Sequence, residues 1–194
     1  MKFAELIASE GCHLTKGKLP ANIFLTGFMG AGKTSVGKLL APRLGIDCYD
    51  TDEIIAAASG MSIPEIFTSK GEAFFRNMES ELLKLLGEKP PGTCVVSTGG
   101  GAVLRRENTT AMRRNGLIVF LHITAEEACK RIGQSKNRPL LNTAEPLRSI
   151  RELLEKRTPF YSNADLVVET SGLTVAETVD KVIKALKEWK NEQK

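Results

Sequence analysis

One octapeptide limits what this chain can fold into more than any other feature: Gly27-Phe28-Met29-Gly30-Ala31-Gly32-Lys33-Thr34. It fits G-x-x-x-x-G-K-[ST], and its surroundings fit as well. The apolar run Asn22-Ile23-Phe24-Leu25-Thr26 before it reads as a buried parallel strand. After it, Val36, Leu39, Leu40 and Leu44 recur at helical spacing, with Gly45 as a stop. Glycines in such a turn let successive backbone N–H groups converge on one anion, and the helix N-terminus adds a positive partial charge. Lys33 can reach the outer phosphates of a nucleotide, and the Thr34 hydroxyl can ligate Mg²⁺.

The rest of the chain repeats the alternation of strand and helix. Strands are predicted around Cys48–Asp50, Cys94–Ser97, Leu117–Ile123 and Leu166–Val168. Ser62-Ile63-Pro64-Glu65 reads as a capping box opening a helix that stops near Gly71, and Glu72–Leu86 as a second helix ended by Gly87. Thr124-Ala125-Glu126-Glu127 and Thr174-Val175-Ala176-Glu177 cap two more, the last with an apolar face of Val175, Val179, Val182, Leu186 and Trp189. A further helix runs up to Tyr161. The polar stretch 133–146 reads as a loop. Phe3, Leu6 and Ile7 mark a short amphipathic helix in a preface of about 20 residues. Alternation of this kind means an α/β fold with a parallel sheet covered on both faces.

Composition narrows the class. The 194 residues are 42% hydrophobic and 26% charged, as in an ordinary globular domain, and no apolar run is long enough to span a bilayer. A net charge of +4 is too weak to argue for nucleic acid and suits anionic small molecules. Cys12, Cys48, Cys94 and Cys129 form no C-x-x-C pair, and His13 and His122 are the only histidines, which argues against zinc and against a disulfide framework. Reduced thiols in a reducing cytosol are expected, with no secretory or organellar address and no membrane or nucleic-acid partner.

The glycine-rich loop establishes nucleotide binding without choosing among a GTPase, an ATPase and a small-molecule kinase. N-K-x-D is absent, and the length suits a kinase with a small acceptor. Candidate acceptor residues follow the strands. Asp50-Thr51-Asp52, read as extended, turns both carboxylates toward one site, although two solvated loop acids fit the spacing equally well. Ser97-Thr98-Gly99-Gly100-Gly101 ends the third predicted strand, where ligands of open parallel sheets bind. Arg76 has Glu72 and Glu79 at i−4 and i+3 to orient it, and Arg131, Arg138 and Arg157 offer forked donors for carboxylate or phosphate.

Taken together these residues resemble the shikimate kinase family. The resemblance runs from about Asn22 to the C-terminal helix and rests on GFMGAGKT, DTD, SIPEIF, GEAFFRNMES, the GGG at 99–101, NRPLL at 137–141 and KRTPFY at 156–161, in that order. It implies a P-loop NTPase fold of the nucleoside monophosphate kinase-like kind, with a five-stranded parallel sheet ordered 2-3-1-4-5. A single kinase domain would span 21–194, with a substrate-binding subdomain at about 51–80 and a lid at about 133–146. The implied activity moves the γ-phosphate of ATP to the 3-hydroxyl of shikimate, on the route to chorismate and aromatic amino acids. Gly30, Ala31, Gly32, Lys33, Thr34 and Ser35 would hold the phosphates. Thr34 and, through water, Asp50 would hold Mg²⁺, with Ser97 nearby. Asp52 would bind the shikimate hydroxyls and act as general base. Arg76 and Arg157 would clamp its carboxylate, and Gly99, Gly100 and Gly101 would contact its ring. Arg138 would close over the transferring phosphate, and Arg131 would stack on adenine. The loop near Thr170–Leu173 falls where the family has adenine contacts. A cytoplasmic monomer is expected.

Two features depart from the family pattern. The preface at 1–20 precedes the usual start, and Pro42 should kink its helix or end it early. The competing readings are a related kinase of another small polyol acid such as gluconate, and an inactive relative kept as a binding module. The first should lack the combined DTD, Arg76 and Arg157 set. The second typically loses the lysine, the metal-binding hydroxyl or the acceptor aspartate, and Lys33, Thr34 and Asp52 all stand.

Overall fold

The computed structural model describes residues 3–10, 19–133 and 145–192. Its center is a five-stranded sheet in the order β2-β3-β1-β4-β5, formed by β1 (Asn22–Thr26), β2 (Asp47–Asp50), β3 (Cys94–Ser97), β4 (Gly116–His122) and β5 (Leu166–Glu169). Every pairing is parallel. All residues of β1 and β3 are buried, because helices cover a parallel sheet on both sides. This is the order that the family resemblance implies.

Nine helices accompany the strands among the described residues: α1 (Phe3–Glu10), α2 (Lys33–Leu44), α3 (Thr51–Ser59), α4 (Ile63–Ser69), α5 (Gly71–Gly87), α6 (Arg106–Arg113), α7 (Ala125–Gly133), α8 (Pro146–Tyr161) and α9 (Val175–Glu192). α2 packs on β1, β2, β3 and α9, whereas α6 packs on β4 and α5. Glu65 accepts from the Ser62 N–H at 2.8 Å, so the predicted cap opens α4. Thr174 and Glu177 exchange reciprocal bonds of 2.8 and 3.2 Å at the start of α9. On α9, Val179, Val182 and Leu186 enter the core and Trp189 packs against it, while Val175 is left 38% exposed.

Two expectations need correction, and one helix had no expectation at all. Asp50-Thr51-Asp52 is not an extended run, because Asp50 is the N-cap of α3 and Asp52 lies in its first turn. Oδ1 of Asp50 accepts the N–H groups of Asp52 and Glu53 at 3.0 and 3.3 Å, which converts the end of β2 directly into helix. Pro42 does not end α2 early. It sits in the last turn, and Gly45, left-handed at φ 68°, closes the helix by donating to the carbonyls of Ala41 and Pro42. α6 escaped the sequence reading because RENTTAMR buries only Asn108 and Met112 and has no apolar stripe.

The helix of the preface is packed against the domain. α1 contacts α3 and the edge strand β2, and Phe3 is fully buried. The Tyr49 hydroxyl donates to the Ile7 carbonyl at 3.3 Å. An edge strand carries unpaired backbone groups, and a covering helix is one way to shield them. Cys48, Cys94 and Cys129 are free thiols. Burial pushes the Cys94 thiol up to about 12, so it stays protonated and unreactive. Cys12 and His13 lie outside the described residues.

Candidate active site

Parallel register brings the chemistry to one end of the sheet. Leu25 of β1 and Asp50 of β2 both pair with Ser97 of β3, so the glycine-rich loop, Asp50 and the triple glycine leave neighboring strands at the same level. They open into a cleft of about 770 Å³. Gly30, Ala31, Gly32, Lys33, Thr34, Ser35, Asp50, Asp52, Arg76, Gly99, Gly100, Gly101, Arg131 and Arg157 all line it. These fourteen candidate residues are therefore at one site, and Ser97 lies just behind it. Arg138 and the lid stretch around it, 134–144, lie outside the described residues.

At the phosphate end, Gly30 and Gly32 have φ of 83° and 85°, a left-handed conformation that side-chain-bearing residues rarely adopt. The turn delivers the chain into α2 with its first amides facing the cleft. The Lys33 ammonium donates to the Gly27 and Phe28 carbonyls at 2.8 and 3.0 Å, folded along its own loop. The Thr34 hydroxyl donates to Asp50 Oδ2 at 2.7 Å. The Ser97 hydroxyl donates to the Lys33 carbonyl at 2.9 Å, tying the start of α2 to β3.

At the opposite end stand Asp52, Arg76, Arg157 and the glycine loop. Arg76 donates to Glu72 at 3.2 Å and to Glu79 at 2.8 Å. Glu79 is fully buried. Burial pushes its carboxyl above the usual carboxylate range, and the Arg76 charge pulls it part of the way back. Burial works against the Arg76 charge too, but Glu79 and Glu72 outweigh it and hold the guanidinium firmly protonated. The glycine loop fits against these groups with no room to spare. A Cβ at Gly101 would lie 2.5 to 2.7 Å from the Arg76 guanidinium, and one at Gly99 would lie 2.5 Å from Glu79 Oε1 and 3.1 Å from Asp52 Oδ1. The Gly99 N–H donates to the buried Thr51 hydroxyl at 2.9 Å. Ile63, Phe67 and Phe75 supply an apolar wall, with the two phenyl rings 4.9 Å apart.

At the third corner Arg131 is a brace. It donates to Glu127 at 2.8 Å, to the Gly30 carbonyl at 3.3 Å, and to the carbonyls of Thr170 and Leu173 at 2.8 and 3.2 Å. It thereby joins the phosphate loop to the 170–173 segment, and Leu173, Thr174 and Val175 line the cleft beside it. Sequence reasoning missed Ile63, Phe67, Thr51 and Arg105. Arg105 donates to the Arg76 carbonyl at 3.1 Å and docks the segment after the glycines onto α5. Local periodicity does not mark Thr51 or Arg105, whose partners Gly99 and Arg76 are 48 and 29 positions away.

Comparison with known proteins agrees with this geometry. The family model described as shikimate kinase matches residues 29–187. A shikimate kinase of Thermodesulfovibrio yellowstonii is 46% identical over 170 residues, spanning 88% of this chain and 97% of that protein. The solved structure of shikimate kinase from Acinetobacter baumannii in complex with shikimate superposes with a TM-score of 0.81 at 36% identity, covering 89% of this chain and 95% of that one. A gluconokinase from Sinorhizobium meliloti, 18% identical with a TM-score of 0.58 over 90% of this chain and 96% of that one, shares the fold alone. The phosphate loop, the aspartates, Arg76, Arg131, Arg157 and the glycine loop thus stand in one cleft on a chain that belongs to the shikimate kinase family.

Proposed function

We propose that this chain transfers the γ-phosphoryl group of ATP to the 3-hydroxyl of shikimate, giving ADP and shikimate 3-phosphate. One observation carries the reading. A phosphate-binding loop and a pair of arginines, Arg76 and Arg157, face one cleft with Asp52 also on its wall. Two guanidinium forks suit the carboxylate of a small ring acid, and the apolar wall suits its ring.

Phosphoryl transfer asks a protein mainly for alignment and charge neutralization. Lys33, turning from its loop carbonyls to the outer phosphates, supplies positive charge where the bond to ADP breaks. Asp52 accepts the proton of the 3-hydroxyl as its oxygen bonds to phosphorus. Arg76 and Arg157 hold the acceptor carboxylate, which fixes where that hydroxyl points. Arg131 braces the adenine side, and Arg138 is assigned to the transferring phosphate on the resemblance, with a lid over 133–146 and an acceptor subdomain over about 51–80.

Mg²⁺ suits the residues at the phosphate end. A hydroxyl and a carboxylate meet there, Thr34 with Asp50, with the Ser97 hydroxyl close by. No cluster of three or more His, Cys, Asp or Glu side chains with metal-holding geometry occurs among the described residues. A few hard oxygen donors are what Mg²⁺ takes when phosphates and water complete its shell. When bound, it neutralizes the charge of the phosphate oxygens. The reading is completed by action as a monomer in the cytosol, and no helix among the described residues is long and apolar enough to cross a membrane.

A coupled ADP-release assay tests the function, with shikimate, quinate and gluconate offered separately. Turnover with shikimate and little with gluconate is expected. Preference for gluconate, or no turnover with any of the three, would overturn the reading.

A further inference from the structure

Arg157 and the glycine loop reach the cleft from distant parts of the chain, one on α8 and the other after β3. Tyr161 stands between them. It lies one helical turn beyond Arg157, only 1% exposed, with its ring stacked on Phe120 of β4 at 5.0 Å and 11°. Its hydroxyl donates to the Gly100 carbonyl, and the Arg157 charge acts on the phenol from one turn back on α8. A phenol has one proton to give and lone pairs to receive. The proton goes to Gly100. Burial pushes the phenol further above its ordinary range, so it remains a donor at neutral pH.

The bond to Gly100 has a consequence one peptide further on. A trans peptide is planar, with its C=O and N–H pointing in opposite directions. Pinning the Gly100 carbonyl to Tyr161 therefore turns the Gly101 N–H the other way. Gly101 lines the cleft beside Arg76. Consecutive glycines carry no side chain that could fix this plane, and each has many accessible conformations. The tyrosine hydroxyl does from outside what the loop cannot do for itself. Core filling does not call for it, since phenylalanine would pack the same ring.

We propose that the Tyr161 hydroxyl is a positioning group for the acceptor: it orients the Gly100–Gly101 peptide and the Arg157 guanidinium together, presenting an N–H and a guanidinium fork to an anionic, hydroxylated ring acid. The inference rests on the proposed reading of the cleft and adds to it a residue that touches no substrate.

Tyr161→Phe tests it, because the ring and its stack on Phe120 are kept. The expected result is a shikimate KM raised about 10-fold, the worth of one or two hydrogen bonds. The KM for ATP should stay within about twofold and kcat within about threefold, with only a small change in Tm. A double variant with Arg157→Lys should lose less than the product of the two single losses, since both act on one guanidinium. A general packing defect would lower Tm and move both KM values together, and that outcome would overturn the inference. So would a shikimate KM unchanged in Tyr161→Phe while the wild type turns shikimate over. A wild type that does not use shikimate at all would overturn both this inference and the reading of the cleft.

Discussion

Arg76 donates to Glu79 at 2.8 Å across one turn of α5, and Glu79 is the fully buried member of the pair. The cleft-facing cation is thus held by a carboxylate with no access to solvent. The pair cannot be judged by its attraction alone, because removing either partner leaves a charge stranded in a low-dielectric site.

The arrangement sets a pH signature. Burial first, eased by Arg76, leaves the folded-state pKa of Glu79 above its ordinary value of 4.5. The folded chain therefore binds more protons at this site than the unfolded chain, so its contribution to stability is fully present below the ordinary carboxylate range. It is lost as pH rises from there through the raised folded value. Glu79→Gln removes the titration. Its stability relative to wild type should climb across that window and level off above it, as measured by urea denaturation at a series of pH values. A difference that stays flat with pH would show that Glu79 titrates normally. The same variant should raise the shikimate KM, because the amide no longer anchors Arg76.

Gly101 makes a second, sharper test of the acceptor end. A methyl group there would stand 2.5 Å from the Arg76 guanidinium, which Glu72 and Glu79 hold in place. Gly101→Ala should raise the shikimate KM by about 10-fold or more, in line with a misplaced positioning group, and leave the KM for ATP unchanged. Equal effects on both substrates would show that the loop supports the phosphate end as well.

Lys33→Ala addresses the other end. Loss of its charge should lower kcat by about 100-fold or more, the scale seen when one preorganized donor is removed from a transition state. Shikimate binding, followed by calorimetry without nucleotide, should persist because Lys33 lies at the phosphate side of the cleft. Loss of shikimate binding would mean that the two ends are not separable.

Phe3→Ala asks whether the N-terminal helix contributes to stability. Phe3 is fully buried although it belongs to a segment outside the matched family region, 29–187. Truncating a buried phenylalanine costs about 3 kcal/mol in a packed core. A shift well below about 1 kcal/mol in urea denaturation would show that α1 docks only weakly on β2 and α3.

Much of this molecule can be read along the chain. The octapeptide marks β1, α2 and the phosphate end at once, because a strand–glycine turn–helix has few alternatives once its backbone amides must converge. The capping residues Ser62 and Thr174 place the starts of α4 and α9 to the residue. Helix α3 was hidden because Asp50 reads as a loop acid until its carboxylate is seen to take the Asp52 and Glu53 amides. The place of the preface was open as well, since an amphipathic turn names its apolar face and not the surface that will receive it.

By itself, then, the sequence determined the fold class and the phosphate loop, since local spacing and backbone chemistry suffice for these, whereas the arginines and aspartates of the cleft were named through the family resemblance. Only the tertiary structure decided how they are held: Glu79 buried under Arg76, Arg131 bracing the 170–173 segment, and Tyr161 joining α8 to the glycine loop. The last two contacts each link a side chain to a partner whose position depends on the packing of the whole sheet, and the burial of Glu79 depends on it too. Gly100 and Tyr161 are separated by 61 positions in the chain, and no periodicity of the chain can bring such a pair together.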